Sequence, residues 1–520
     1  MKPLPRASGI LLPLSALPSP YGIGTLGQAA RDFIDFLADA GQRYWQMLPV
    51  GPISYGDSPY QSFSTFAGNP YYVDLDLLVE DGLLLPEELD YPWGDDPGRV
   101  DYGKLFEERF EVLRQAADRG IPRDGAAFAA FREENARWLR DYSLFMALKR
   151  RFGMRHWSEW PEEDIRLHRP AAVEKWRAAL REDVDLFEYI QFLFFRQWAD
   201  MKEYAESRGV EIIGDVPIYV AMDSADVWAE PQWFQLDEDN VPTEVSGVPP
   251  DYFNEDGQLW GNPLYRWDAM ERDGFGWWIR RVEGAFKLYD VLRIDHFRGL
   301  ESYYAVPFGE KTARKGRWVK GPGMKLVGVL SSWFYDNSFI AEDLGYMTPE
   351  VRQLLADSGF PGMKVLEFAF NPHEPSDYLP HYYPRACVCY TGTHDNAPLM
   401  AWKEEADPAD IAFAESYLGL NEAEGFCAGV IRGGMGSVAD LFVAQMPDWL
   451  ELGPEGRINT PGVPMGNWTW RVRPGELTEE LADRIAAMTK RYGRGEARKK
   501  RQPAEEPETA AEEPAEPKKT

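Results

Sequence analysis

The sequence predicts an α/β fold: a (β/α)8 TIM barrel with inserted, mostly helical subdomains. Three observations carry that reading. Eight short apolar runs recur between turn residues, and several of them alternate with amphipathic helical patterns. The third is that the interval from the second run to the third is far too long for a single crossover helix. The runs are continuously apolar rather than alternating, as parallel strands buried on both faces require. Eight such strands with intervening helices match a closed barrel. An open two-layer sheet built from the same units is the competing architecture.

Taken in order, the expected strands are Gly9–Pro13, Tyr44–Pro49, Val210–Gly214, Val291–Asp295, Ser338–Glu342, Met363–Phe368, Ala386–Tyr390 and Asp440–Gln445. Between the first two, Thr25-Leu-Gly-Gln28 reads as a capping box ahead of Ala29, Phe33, Phe36, Leu37 and Ala40, with Gly41 as the stop. After the fifth, Thr348-Pro349-Glu350 offers an N-cap, a proline at the first helical position and an acid facing the positive end of the dipole; Gly359 ends that helix. Residues 1–80 are read as the first part of the barrel. Residues 81–205, with helical patterns at Trp138–Lys149 and Val184–Tyr204, are read as an inserted subdomain, and 206–494 as the rest of the barrel. From Gly493 onward there is no aromatic or large aliphatic residue, so 495–520 is expected to be a disordered acidic tail. The N-terminal stretch superficially suggests a signal peptide, but Pro13 and Pro18 interrupt its apolar part, and a buried first strand is the better reading.

Composition narrows the function. The 520 residues carry 56 Lys and Arg against 85 Asp and Glu, a net charge of −29, which disfavours a nucleic-acid partner. No apolar stretch is long enough to span a membrane, and no protein partner is implied. Three cysteines, Cys387, Cys389 and Cys427, make no disulfide framework or zinc spacing, so a reducing, cytoplasmic setting is expected. Cys387 and Cys389 flank Val388 in an apolar run and read as core.

Acidic residues collect where strands end. In Val291-Leu-Arg-Ile-Asp295-His-Phe-Arg298, the two-residue period puts Arg293 and Asp295 on one face, where the cation would keep the carboxylate charged and oriented. Ser338-Phe-Ile-Ala-Glu342 ends in a second carboxylate and Tyr390-Thr-Gly-Thr-His394-Asp395-Asn396 in a third. A structural Arg–Asp pair or an ordinary turn could explain any one of them. Three at strand ends, two with an adjacent histidine, fit glycosidic-bond chemistry. There, one carboxylate attacks the anomeric carbon, another protonates the departing oxygen and a third stabilises positive charge. With 19 Trp, 25 Tyr and 28 Phe the chain has flat apolar faces to lay against pyranose rings, although most will be core.

The ordered motifs extend this. SGILLPLSALPSPYGIGTLG (8–27), DSPYQSFSTFAGNPYYVDL (57–75), GDVPIYVAMDSADVW (214–228), GVPPDYFNEDGQLWGNPLY (247–265), RIDHFRG (293–299), AEDLG (341–345), TGTHDN (391–396) and RINTPG (457–462) resemble the amylomaltases, the 4-α-glucanotransferases or disproportionating enzymes of the α-amylase superfamily. The resemblance implies a retaining double displacement that moves α-1,4-glucan segments from a donor maltooligosaccharide to the 4-hydroxyl of glucose or another glucan. It places the nucleophile on Asp295, the acid/base on Glu342 and the third, transition-state carboxylate on Asp395. His296 and His394 look like hydroxyl-binding residues and Arg293 like the nucleophile's partner. The loop 247–262, stiffened by Pro249 and Pro250 and turned at Gly257, resembles the family's lid, with Tyr252, Phe253 and Trp260 able to cover sugar faces. Tyr60, Asp251, Gln258 and Asn467 look like further subsite contacts. No metal and no redox or organic cofactor is called for. A retaining α-glucan hydrolase with the same acids and a non-catalytic glucan-binding protein are the alternative readings. The products formed from maltotriose separate the first, and the presence of all three acids speaks against the second.

Overall fold

The computed structural model describes residues 2–54, 56–250, 254–463 and 465–495. The expectation for the tail therefore lies almost wholly outside the described residues.

Eight parallel strands form one sheet: β1 (Ala7–Leu11), β2 (Tyr44–Gln46), β3 (Glu211–Val216), β4 (Val291–Ile294), β5 (Ser338–Ala341), β6 (Gly362–Val365), β7 (Cys387–Tyr390) and β8 (Leu441–Gln445). Every residue in them except Glu211 and Lys364 is buried, which is why the runs are continuously apolar. The order is β6-β7-β8-β1-β2-β3-β4-β5. The remaining seam, between β5 and β6, is bridged where Ala341 donates its N–H to Pro361 O (2.9 Å) and Met363 donates to Asp343 Oδ1 (2.6 Å). This is a (β/α)8 barrel, not an open sheet.

The helix after β1 runs Gln28–Asp39 and ends where Gly41 takes φ 69°. The expected capping box does not form. Gly27 is the N-cap residue, and the Thr25 hydroxyl donates instead to Asp74 Oδ2 (2.6 Å), a buried acceptor brought in from the far side of β2. Thr348 caps Pro349–Ser358 by accepting from Val351 N, and Gly359 closes it in the left-handed region. Between β2 and β3 the long interval holds Tyr102–Arg123, Gly125–Glu134, Ala136–Arg151, Pro170–Ala179 and Arg181–Arg208. The last of these packs on Gln28–Asp39 and sends Trp198 Nε1–H to Leu288 O, so it also serves as the barrel helix ahead of β3.

Two features depart from an evenly alternating plan. Residues 366–386, between β6 and β7, contain only short 3₁₀ turns, because Pro372, Pro375, Pro380 and Pro384 interrupt any helix. And segments after β3 and β4 build a second, antiparallel sheet of Glu244–Val248, Gln258–Pro263, Ser302–Pro307 and Arg317–Lys320. It has its own small core of Val245, Tyr304, Val306 and Ala313. The described parts of the expected lid loop thus belong to a β-hairpin, whose strands stand beside the C-terminal mouth of the barrel.

Candidate active site

Strand register assembles the site. Asp215 in β3 is the direct ladder partner of Arg293 in β4, so their side chains share one face and one height. The ladder continues one residue past each strand end: Asp295 N–H donates to Val216 O and Glu342 N–H to Ile294 O, both at 3.0 Å. Asp295 and Glu342 therefore emerge side by side at the mouth. His296 then adopts φ 51°, a left-handed conformation uncommon for a non-glycine residue, and turns the chain sharply after Asp295. That turn aims His296 N–H at Glu342 Oε2 (2.8 Å), while Leu344 N–H donates to Oε1 (2.7 Å).

Behind Asp295 lies a buried charge relay. Arg293, 4% exposed at its side chain, donates Nη1–H to both oxygens of Asp215 (2.7 Å each) and to Asp295 Oδ1 (2.9 Å). Tyr60 OH donates to Asp215 Oδ2 (2.7 Å) and lies 2.8 Å from His394 Nε2. A carboxylate can only accept, so the tyrosine proton goes to Asp215 and Nε2 of His394 carries the other hydrogen. The same Nε2 faces Asp395 Oδ2 at 3.4 Å, and Asn459 Nδ2–H holds Asp395 Oδ1 at 2.6 Å.

Asp295, Glu342, Asp395, His296, His394, Tyr60, Gln258, Trp260 and Asn467 all line one cleft of about 770 Å³. Arg293 stands behind that wall and reaches the cleft through Asp295. Trp260 meets His296 edge-on with ring centroids 4.8 Å apart, and its Nε1–H donates to Gln258 Oε1. Asn467 pins residues 460–463 by accepting from Thr460 N and donating to Thr460 O and Val463 O. Asp251, Tyr252 and Phe253 lie outside the described residues. Sequence reasoning did not single out Asp215, Asn459 or Trp468. Asp215 carried the same signal as the others, an acid ending an apolar run in Ile212-Ile-Gly-Asp215; Asn459 and Trp468 sit in loops that only the fold brings to the cleft.

Burial pushes the Asp295 carboxyl up to about 8 against the pull of Arg293, with Asp215, Glu342 and Asp395 adding to the rise. Glu342 is raised too, by burial, opposed by Arg293 and its two N–H donors. Each carboxyl therefore holds a proton more readily than a free acid does. Burial works against the Arg293 charge, but Asp215 and Asp295 outweigh it and keep the guanidinium protonated. Burial lowers His394, and lowers His296 to about 3, so both rings are neutral and able to donate and accept. Among the described residues, no group of three or more His, Cys, Asp or Glu is placed to hold a metal ion.

A family model described as 4-α-glucanotransferase matches residues 12–478. The chain belongs to that family. It is 50% identical over 496 residues to the 4-α-glucanotransferase of Thermus thermophilus, covering 93% of this chain and 98% of the relative. It is 48% identical over 486 residues to that of Clostridium butyricum, covering 93% and 100%. The solved amylomaltase of Streptococcus agalactiae in complex with acarbose superposes with a TM-score of 0.92 at 40% identity, over 94% of this chain and 100% of that one. A 4-α-glucanotransferase of this type is a retaining transferase acting on α-1,4-glucans. Among the described residues, no helix is long and apolar enough to cross a membrane.

Proposed function

We propose that Asp295 is the nucleophile of this 4-α-glucanotransferase, Glu342 its general acid and base, and Asp395 the carboxylate that stabilises the transition state. The observation that carries this is the convergence of the three acids on one cleft, with a fixed cation on Asp295 alone. In the first half, Glu342 gives its proton to the glycosidic oxygen as the C1–O bond breaks, and Asp295 bonds to C1. In the second, Glu342 takes the proton of the acceptor's 4-hydroxyl, whose oxygen displaces Asp295. One glycosidic bond breaks and one forms, so reducing ends are conserved. Retention asks for carboxyl groups about 5–5.5 Å apart, which neighbouring strands can supply. Neutral His296 and His394 would hydrogen-bond donor-sugar hydroxyls, and His394 is oriented for this by Tyr60.

Transfer requires that a sugar, not water, meets the covalent intermediate. The hairpin strands Glu244–Val248 and Gln258–Pro263 lay Trp260 and Gln258 along the cleft, where they would shield it. The donors we infer are maltooligosaccharides, and acarbose, bound by the Streptococcus agalactiae relative, should compete for the same cleft. Three unpaired, buried cysteines suit a reducing cytoplasm.

Incubation of the pure enzyme with maltotriose tests the assignment. Glucose plus a ladder of longer glucans without gain in reducing ends is expected, whereas rising reducing ends without a ladder would make it a hydrolase. Asp295→Asn should abolish transfer and leave oligosaccharide binding largely intact; full activity in that variant would remove Asp295 from its role.

A further inference from the structure

The loop that carries His394 and Asp395 is tied at both ends to a single carboxyl group. Thr391 opens the loop at the end of β7 and donates its hydroxyl to Asp448 Oδ2 at 2.5 Å. Leu399, the first residue of the helix Leu399–Glu405 that closes the loop, donates its backbone N–H to Asp448 Oδ1 at 2.8 Å. Asp448 comes from the next barrel unit, in the short helix Met446–Trp449 after β8, and is 1% exposed. It does not line the catalytic cleft.

Between its two anchors the loop is internally braced. Asn396 Oδ1 accepts from both Thr393 N–H and Thr393 Oγ1–H at 2.9 Å, Asn396 N–H donates to Thr393 O, and Asp395 N–H donates to Thr393 Oγ1 (3.3 Å). Packing leaves no slack beside it: a Cβ on Gly392 would fall 2.6 Å from Glu367 Oε1 and 2.8 Å from Gln445 Nε2. A segment braced in this way is placed by its outside contacts: Asp448 at both ends, and Asn459 at its middle, where it holds Asp395 Oδ1 and donates its N–H to His394 O. A buried carboxyl is a costly anchor, since burial raises Asp448 to about 7 against the hydrogen bonds from Thr391, Leu399 and Gln445. An apolar side chain in its place would leave the Thr391 hydroxyl and the Leu399 N–H buried without an acceptor.

We propose that Asp448 is a positioning residue for the transfer reaction, fixing through Thr391 and Leu399 where Asp395 and His394 meet the donor sugar. This rests on the role proposed above for Asp395. Because Asp395 is assigned to the transition state, displacing it should lower kcat more than it raises KM.

Five variants test this in maltotriose disproportionation, with thermal midpoints measured alongside: Asp448→Asn, Thr391→Val, Thr391→Ser, the double variant Thr391→Val/Asp448→Asn, and Asp395→Asn. Asp448→Asn keeps the shape but turns an amide toward one of the two donors, and Thr391→Val deletes one donor. Each is expected to lower kcat roughly 10- to 100-fold with KM within about threefold, the scale on which small misplacements act. Thr391→Ser, which restores the hydroxyl, should stay near wild type. The double variant should lose no more than the worse single, because both break the same tie. Unchanged kcat with a lowered thermal midpoint would make Asp448 structural only, and losses that multiply would deny the shared tie; either overturns the proposal. An inactive Asp395→Asn beside a fully active Asp448→Asn defeats the positioning role alone, whereas an active Asp395→Asn defeats the assignment of Asp395 and this proposal with it. Should Asp448→Asn fail to fold, Thr391→Val, a near-isosteric change, carries the test.

Discussion

Arg293 sits between two carboxyl groups and serves each differently. Asp215 takes two of its hydrogen bonds and fixes the guanidinium, so that the third reaches Asp295 from a defined direction. Its charge pulls both Asp295 and Glu342 downward while burial pushes them up. The sign of a substitution follows. Removing the cation in Arg293→Met leaves burial unopposed, so both carboxyls hold protons more tightly. The basic limb of the kcat/KM–pH profile, which reports proton loss from the pair, moves to higher pH, and the maximum falls by roughly 10²-fold or more because the proposed nucleophile, Asp295, loses the cation that favours its charged form. A limb that stays in place or moves down would show that Arg293 does not govern this pair. Much of this was legible in the sequence. Asp295, Glu342 and Asp395 each end an apolar run, and the strand period paired Arg293 with Asp295. Asp215 was overlooked although it follows the same pattern, because its cross-strand bond to Arg293 depends on register, which no single run reveals. Asn459 lies in the motif RINTPG but shows no catalytic pattern of its own, and Trp468 had no local signal. They reach the cleft because the chain after β8 folds back over the mouth.

At the scale of the element, the hairpin Glu244–Pro263 is anchored through its stem. Its stem is held by ladder pairing with Ser302–Pro307 on one side and with its own return strand on the other. Its turn depends on Gly257, at φ 65°, where a Cβ would lie 2.4 Å from Val248 O and 2.8 Å from Pro250 N. A branched residue meets both the left-handed backbone penalty and a backbone clash, on the order of 1–3 kcal/mol, and must distort the tip while the barrel stays intact. Gly257→Val is therefore expected to raise the hydrolysed fraction of maltotriose several-fold, read as new reducing ends per glucose released, with a thermal midpoint within about 2–4 °C of wild type. An unchanged ratio would mean that the hairpin tip does not exclude water. The eight barrel strands were legible because burial on both faces leaves an uninterrupted apolar run. The antiparallel sheet was not, because Gln258–Pro263 and Arg317–Lys320 are largely exposed and so carry no apolar run, and two of its strands end at Pro263 and Pro307. Between β6 and β7 the four prolines prevent a helix, so the barrel alternation is not complete there.

Over the whole molecule, buried acids set the pH response of stability. Asp226 and Asp448 are each raised to about 7 and Asp295 to about 8, all mainly by burial. In the unfolded chain such groups titrate near 3.9. Between about pH 4 and 7 the folded state consequently binds more protons than the unfolded one, and stability falls as pH rises across that window, by up to about 1.4 kcal/mol per pH unit for each group. The net charge of −29 acts in the same direction, because self-repulsion in the compact state grows as carboxylates ionise. Surface ion pairs such as Arg119–Glu88 oppose this only at much lower pH, where Glu88, held near 2 by Arg119, finally protonates, and such exposed pairs contribute little. Calorimetry should therefore find a higher thermal midpoint at pH 5.5 than at pH 7.5. Added salt should narrow the gap by screening the repulsive part and leave the part due to buried acids. Asp226→Asn separates the two contributions: Asp226 accepts from Thr65 N at 2.8 Å, a bond that an amide oxygen can keep, while the amide has no charge to bury. Its midpoint should gain on wild type at pH 7.5 and not at pH 5.5. A wild-type protein that is more stable at pH 7.5, or an Asp226→Asn variant with the same offset at both pH values, would show that these acids are solvated and ionised in the folded state.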